Sequence, residues 1–400
     1  MYLTNEEERI LKGDRGEEKR IAMEILVALG KIYGASRLIP VKSAQISGIS
    51  YKSIGEAGIR WLRSLSKARV VVPTTLNPAG MDLERWRFMG IHEDFARKQL
   101  EIIGILRGIG AEITCTCTPY LAGNRPSFGD HLAWAESSAV CYANSVIGAR
   151  TNREGGPSAL AAAIIGKTPL YGYHLDENRR ATFKVRVLAD LKDMSDFGAL
   201  GYWTGALIKS GLPYFSGIKE PDDESLKALG AALAASSNAS MYHVEGMTPE
   251  FRMAIKDEVE KVEFTNKDLA WVYDELTTFR GKKVDLVAIG CPHASLKEME
   301  KIANMLAGKR IANGIKLWIF TSRAVRRTAE RIGYIRAIQS AGGEVYADCC
   351  MVVSPIEKLG FESIAVNSAK AAFYLRAMSG IDVVFGSLKR CIDIALRGRL

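Results

Sequence analysis

From residue 282 onward, short apolar and β-branched runs alternate with amphipathic helical segments, and this alternation constrains the fold more than any other feature of the chain. Strand-like runs fall at 284–289, 316–321, 344–347, 363–366 and 383–385. Helical periodicity occupies 295–306, 324–341, 368–378 and 387–397, with Ser295 as an N-cap. Strand and helix in such order predict a parallel, doubly wound α/β lobe with helices on both faces.

Residues 1–281 read as further α/β lobes without a clear internal boundary. Helical spacing covers 17–33, 54–66, 93–107 and 130–143, and strand-like runs fall at 38–41, 69–72, 111–114 and 184–188. Thr4 followed by Glu7 forms a capping box that opens a first helix. The stretch 250–280 is expected to close this part with helices. The predicted division is therefore N-terminal lobes over 1–281 and a C-terminal doubly wound lobe over 282–400. With 400 residues, 48% of them hydrophobic and 25% charged, the chain has room for two or three domains of ordinary globular composition.

The longest run without a charged residue, 228–244, falls short of the roughly 18 residues of a membrane span, and its serines and His243 suit a buried helix and loop better. The first residues carry neither a basic nor an apolar leader region, so the expected location is the cytoplasm, with no membrane association. A net charge of +9 raises the question of nucleic acid. The densest basic group, Lys309, Arg310, Arg323, Arg326, Arg327, Arg331 and Arg336, falls largely at helical spacing and reads as a solvated face, so no nucleic-acid partner is expected. The surplus would suit an anionic substrate, because a positive cleft concentrates anions.

Seven cysteines, an odd number in a chain expected in the cytoplasm, argue against a disulfide framework. Cys141 and Cys391 sit in apolar helical contexts and read as packing residues. Cys117, Cys291 and Cys350 differ: each follows a strand-like run and precedes a turn or helix start. The carboxyl ends of strands face the crevice in which α/β proteins bind ligands. Three thiolates converging there would hold an iron–sulfur cluster and leave one iron without a protein ligand. Their spacing matches neither the compact ferredoxin run nor paired zinc motifs, so cysteine spacing by itself leaves inert thiols and a metal site both open.

Three polar blocks stand beside these runs. Lys42 to Tyr51 and Thr74 to Asp82 place hydroxyls and amides after the runs at 38–41 and 69–72. The third, Asn144 to Ser158, packs Arg150, Arg153 and Glu154 before a Gly155-Gly156-Pro157-Ser158 turn that opens a helix. A helix start of this kind presents free N–H groups to a phosphate or carboxylate. No Gly-x-Gly-x-x-Gly or Walker motif occurs, so a nucleotide cofactor is not expected.

The segments Cys117-Thr118-Pro119-Tyr120, Asn144 to Leu160, Gly290-Cys291-Pro292-His293-Ala294-Ser295 and Cys350-Met351-Val352-Val353 resemble the catalytic subunit of the aconitase X family. The match follows the family's order over essentially the whole chain, and within the family it is best with the archaeal two-subunit branch. The resemblance implies a three-lobed, aconitase-like α/β/α architecture with an iron–sulfur cluster, of 4Fe–4S type, between lobes. It implies Cys117, Cys291 and Cys350 as the metal ligands. The implied activity is that of a hydro-lyase, dehydrating (R)-mevalonate 5-phosphate to trans-anhydromevalonate 5-phosphate in an archaeal-type mevalonate pathway of isoprenoid biosynthesis.

A separately encoded small subunit, acting as a swivelling domain, is implied as partner in a heterodimer. The chain ends straight after a helix at Leu400 without such a domain, and the family's catalytic serine is expected on the partner. No general base is therefore assigned here. For the substrate, Lys42, Arg150 and Arg153 are candidates to pair with carboxylate or phosphate, arginine being the better bidentate partner. Ser43, Asn77, Asn144 and Ser145 are candidates to fix its pose, with Glu154, Gly155 and Ser158 at the helix start completing the candidate set.

Two departures matter. Cys349 and Cys350 are adjacent where the family shows one cysteine, and register selects Cys350; successive strand side chains face opposite ways, so only one of the two can face the site. Gln45 stands where relatives often carry histidine, so no proton-transfer role is expected there. Two other readings stay open: the same fold acting on a hydroxyproline-type substrate, and a basic RNA binder. The last predicts log-linear loss of affinity with salt and indifference to loss of the cysteines.

Overall fold

In the computed structural model, which describes residues 1–255 and 259–400, the sheets are built in three successive stretches. The first begins with helices Asn5–Leu11 and Glu17–Ile32, and the Thr4–Glu7 capping box is formed reciprocally. Its strands are β1 (Leu38–Pro40), β2 (Ala44–Ile46), β3 (Thr74–Leu76), β4 (Ala133–Trp134) and β5 (Lys167–Pro169). β3, β2 and β4 form a parallel sheet in that order, while β1 pairs antiparallel with β5. The second stretch holds β6 (Phe183–Val187), β7 (Pro213–Ser216), β8 (His243–Val244) and β9 (Glu260–Phe264) in a parallel sheet ordered β8-β7-β6-β9.

The third stretch is the doubly wound lobe. β10 (Leu286–Ala294), β11 (Lys316–Thr321), β12 (Glu344–Ala347), β13 (Ser363–Val366) and β14 (Asp382–Phe385) run parallel in the order β12-β11-β10-β13-β14. The lobe's first strand is thus central, and the chain winds to one side and then to the other. The crevice beyond the carboxyl ends of β10 and β13 is its topological switch point. One continuous apolar core joins all three stretches: Met81, Trp86 and Met89 from the first, Ala199 and Val272 from the second, and Cys291, Trp318 and Tyr346 from the third.

Several expectations need correction. The run at 69–72 is not a strand: Val70 N–H bonds the Ile109 carbonyl and Val71 N–H the Ala163 carbonyl, so helix ends take up its backbone. The strand lies just beyond, at β3, inside the block read as a loop. The run at 111–114 makes a single bridge, Glu112 to Thr75. The helix expected over 130–143 divides into β4 and the helix Ser137–Tyr142, because Glu136 caps that helix by accepting from Ala139 N–H. Among the described residues, 250–280 contains β9 as well as helices Phe251–Ala254 and Asn266–Glu275; its residues 256–258 lie outside the described residues. The helix expected over 324–341 breaks into Arg323–Arg331 and Tyr334–Ser340 at Gly333, whose φ of 92° no helix interior adopts. The segment 368–378 is helical only over Ala369–Tyr374 and then widens into a π-type turn, Leu375–Ser379.

Candidate metal centre and active site

The three cysteines come from three separate segments, Cys291 within a strand, Cys350 just after one and Cys117 after extended backbone paired to β3. Cys291 was expected beyond the end of its strand but lies within β10, where the pairing with β11 shifts register between Ile289 and Ala294. Gly290 permits this bulge: its φ is 104°, and a Cβ there would run into the Phe320 carbonyl oxygen. Ser295 then caps the helix Leu296–Leu306. Cys350 follows β12, and Cys117 follows the segment that bonds along β3. Two residues before each of these last two cysteines the backbone is left-handed, φ 41° at Cys115 and 65° at Asp348. Such strain persists where surrounding structure over-determines it, and Asp348 is held by a two-nitrogen ion pair with Arg323.

Each thiol is buried, and none forms a disulfide. Burial raises the Cys117 thiol well above the ordinary thiol range, with the neighbouring Cys350 and Cys291 adding to it. Burial pushes the Cys291 thiol up to about 12, with Cys350 close enough to contribute. Cys350 is raised by burial too. Burial thus disfavours the thiolate at all three positions.

One side chain ties the three segments together. The buried His293 imidazole meets the Cys349 carbonyl through Nε2 at 2.8 Å and the Thr116 hydroxyl through Nδ1 at 2.9 Å. A carbonyl only accepts, so Nε2 carries the proton and Nδ1 accepts from Thr116. The backbone N–H of His293 donates to Cys117 Sγ at 3.2 Å. Burial depresses the imidazole to about 4, so it stays neutral and both nitrogens remain committed to this clasp.

A buried ion pair stands beside the thiols. Lys370 Nζ bonds Glu136 Oε1 at 2.5 Å and the Ser138 hydroxyl at 3.2 Å. Lys370 lies in the first turn of the helix after β13, so the pair joins the first stretch to the third at the switch point. Burial opposes the Glu136 carboxylate, yet Lys370 and hydrogen bonds from Ser138 and Ala139 outweigh it and hold the group below the usual carboxylate range. Sequence reading missed His293, Glu136 and Lys370. The signal for the pair was a lone acid and a lone base in otherwise apolar, alanine-rich helix starts, Ala135-Glu136-Ser137 and Ala369-Lys370-Ala371.

The remaining candidates divide. Among the described residues, the buried polar atoms without a partner include Asn77 Oδ1, just past β3, Gln45 Oε1 on β2, and the Tyr120 hydroxyl, three residues after Cys117. Gln45 Nε2 meanwhile donates to the Thr116 carbonyl at 3.0 Å, which sets the amide against the Cys117 segment. Buried polar groups are paired as a rule, so these atoms suit a group that the chain itself does not supply. Ser43 is buried and accepts from Trp134 Nε1 at 3.1 Å, whereas Lys42 and Arg153 are exposed.

Asn144, Ser145 and Arg150 are brought to the boundary with the second stretch, with their polar atoms engaged. Asn144 bonds Thr151, Ser240 and Arg179; Ser145 accepts from Tyr242 N–H; Arg150 holds Asp176 and the His174 carbonyl. The buried Arg179 braces them, pairing with Glu250 and donating to the carbonyls of Asn144 and Ala149. Glu154 is buried, accepts from Ser158 at 2.5 Å and from Thr168 at 3.1 Å, and is raised by burial. Gly155 is the N-cap of the helix Gly156–Ile165, packed so closely that a Cβ on Gly156 would lie 2.6 Å from the Ser47 carbonyl.

Among the described residues, no three His, Cys, Asp or Glu side chains close around one point as a single metal ion requires. A cluster sets each thiolate on a separate iron and spreads its ligands wider, and three buried, disulfide-free thiols from separate segments fit that donor set. Among those residues, too, no helix is long and apolar enough to cross a membrane.

Comparison with known proteins agrees over the whole chain. Models of the aconitase X first, second and third domains match residues 1–177, 181–274 and 284–397. The phosphomevalonate dehydratase large subunit of Methanocaldococcus jannaschii is 50% identical over 100% of both chains, and that of Methanothermobacter thermautotrophicus is 52% identical over 96% of each. A cis-3-hydroxy-L-proline dehydratase of Pseudomonas aeruginosa is 35% identical, covering 98% of this chain but 70% of its own length. The crystal structure of the holo form of Thermococcus kodakaraensis aconitase X superposes with a TM-score of 0.93 at 49% identity, covering 99% of this chain and 100% of that one. The mixed α/β fold with parallel sheets and the match along its full length lead to one conclusion: the chain belongs to the aconitase X family.

Proposed function

We propose that this chain is the large subunit of a two-chain hydro-lyase that dehydrates (R)-mevalonate 5-phosphate to trans-anhydromevalonate 5-phosphate. The observation that carries the reading is the convergence of Cys117, Cys291 and Cys350 beside the switch point, clasped by His293. The choice of substrate is supported by full-length relatives near 50% identity that carry that name, against 35% for the hydroxyproline dehydratase. Both lengths also support a separate partner: the large subunits are matched end to end, whereas the hydroxyproline enzyme is matched over 70% of its length.

In the reaction the C–H bond beside the carboxylate and the C–O bond of the tertiary hydroxyl break. A carbon–carbon double bond forms, and proton and hydroxide leave as water. Cys117, Cys291 and Cys350 would hold an iron–sulfur cluster of 4Fe–4S type, whose iron without a protein ligand supplies a Lewis acid for the departing hydroxide. His293 keeps the three cysteine segments in register. Gln45, Asn77 and Tyr120 offer unpaired buried atoms to orient a bound polar substrate. Lys42 and Arg153, exposed and basic, are the candidates to draw in its carboxylate or phosphate. The Asn144, Ser145 and Arg150 block acts by shaping the wall behind β4, and Glu154, Gly155 and Ser158 by fixing the adjoining helix start. The general base comes from the partner chain.

The test is substrate discrimination by the assembled pair. Purified anaerobically with its small subunit, the complex is expected to convert mevalonate 5-phosphate, followed by the new vinylic proton in NMR, and to leave cis-3-hydroxy-L-proline unchanged. The reverse preference would replace this reading with the hydroxyproline one.

A further inference from the structure

The second stretch carries no cysteine, yet one of its helices, Asp223–Ser236, grips the segment that follows Cys291. Lys297 pairs at 2.8 Å with Asp222, the cap of that helix, and the Ser295 hydroxyl donates to Glu224 at 2.8 Å. Deeper in, Lys227 Nζ donates to the His293 carbonyl at 3.3 Å and pairs with Glu298. The Lys227 and Glu298 side chains are 3% and 4% exposed. The Glu298 oxygen that holds Lys227 also accepts from Ser295 N–H at 2.9 Å, so the ammonium and the helix cap share it. Buried ion pairs gain little stability over apolar packing, because the desolvation of both charges offsets their attraction. What this pair supplies is direction: an ammonium pinned by Glu298 and aimed at one carbonyl.

His293 is thereby bound at every polar group it owns. Its N–H donates to Cys117 Sγ at 3.2 Å, its ring nitrogens meet Thr116 and the Cys349 carbonyl, and its own carbonyl accepts from Lys227. The ring fixes the side chain, whereas Lys227 fixes the main chain whose N–H reaches the sulfur. From these contacts we infer that Lys227, pinned by Glu298, is a positioning residue for the metal centre. It ties the second stretch to the His293 backbone and so keeps the His293 N–H on Cys117 Sγ when that sulfur becomes a cluster ligand.

The inference rests on the cluster reading above. Hydrogen bonds to the sulfurs help set a cluster's reduction potential, and a donor favours the more negative, reduced state. Lys227→Met frees the carbonyl, but it also strands Glu298 and removes a charge, which by itself disfavours reduction. The double variant Lys227→Met with Glu298→Gln removes both charges and keeps a side chain able to close the capping box with Ser295. It is expected to keep the parent's unfolding midpoint. Reduction of its cluster should be disfavoured about fivefold, the worth of one hydrogen bond, and iron should leave to a chelator faster by a similar factor. Lys227→Arg, which still donates, should restore both properties. The measurements are an anaerobic redox titration of the cluster-loaded complex, chelator-driven iron release, and deuterium uptake at residues 291–295 of the metal-free chain, which should rise in the double variant. A parent-like potential and iron release in the double variant would overturn the inference. So would losses in Lys227→Arg as large as in Lys227→Met, or losses that merely follow the unfolding midpoint, the marks of a purely structural role. A parent that takes up no cluster would overturn the cofactor reading instead. Deuterium uptake then decides for Lys227 alone, because uptake unchanged by the double variant would show that Lys227 does not hold the His293 main chain.

Discussion

At the scale of single residues, adjacent cysteines must be told apart by their surroundings. Cys349 is fully buried, with its Sγ 3.9 Å from Met89 Sδ in the apolar core, and burial raises its thiol well above the ordinary range. Cys350, the next residue, stands beside the His293 clasp that ties its segment to those of Cys117 and Cys291. Cys349→Ala is expected to keep its iron, while Cys350→Ala, Cys117→Ser and Cys291→Ser each lose it, as measured by iron content per chain. The opposite result for the adjacent pair would shift the ligand by one residue. A second prediction concerns the clasp. His293→Leu fills similar space but leaves the Thr116 hydroxyl and the Cys349 carbonyl without their buried partner. The cost should be about 1–3 kcal/mol of unfolding free energy, as for any stranded buried polar group. Iron release to a chelator should quicken although all three cysteines remain; parent-like retention would argue that the clasp is incidental. These three cysteine segments were legible because each carries distinctive neighbours, Thr-Pro-Tyr, Gly-Cys-Pro-His and Cys-Met-Val-Val. Glu136 and Lys370 were not, because a lone charge in a short apolar stretch gives no hint of a partner 234 residues away.

At the scale of elements, the doubly wound lobe was readable because its first two strands are long and almost wholly buried, and a capped helix separates them. The first stretch was not. Its strands are two or three residues long, too short for a period-2 pattern, and helix ends and hydroxyls serve neighbouring extended backbone. The Asn144 block looked substrate-facing because polar groups are dense there, but density alone does not say which way they point. In the fold they are consumed by Arg179 and the second stretch. Beside them His131 and His174 meet Nδ1 to Nδ1 at 2.9 Å, and His174 Nε2 is buried without a partner. Burial, then His131, Arg179 and Arg150, lower His174 from 6.5 to about 3. Between those two values the unfolded chain binds a proton that the native chain refuses, so stability must fall as pH falls through this window. The slope from this group is up to about 1.4 kcal/mol per pH unit. His174→Gln should flatten the acid limb of a denaturation-midpoint profile between pH ~6 and ~4 by up to that slope. Equal slopes in the two proteins would show that His174 titrates normally in the native fold.

At the scale of the whole molecule, the first and third stretches are sewn together around the cysteines. The Ser50 hydroxyl donates to the Val353 carbonyl at 2.8 Å, and Lys52 reaches Ser354, Ser379 and Glu357. Asp82 accepts from Ala347 N–H at 2.8 Å, and Arg85 bonds Glu344 and the Val345 carbonyl. With Glu136–Lys370 these contacts fix Cys117 relative to Cys291 and Cys350 without help from another chain. Cluster binding and turnover should therefore separate experimentally. The chain alone should bind the cluster as well as the complex does, with equal iron content and visible absorption, because every proposed ligand is its own. Dehydration should nevertheless require the small subunit. No group here is assigned as the base, and a cleft left open to water weakens each electrostatic contact within it. A missing general base alone lowers a rate by about 10²–10⁴-fold, so adding the partner should raise dehydration of mevalonate 5-phosphate by at least that factor while iron content stays constant. If the isolated chain instead turned over at the rate of the complex, the base would have to lie within these 400 residues, and the two-chain division of labour would fail even though the cluster site stood.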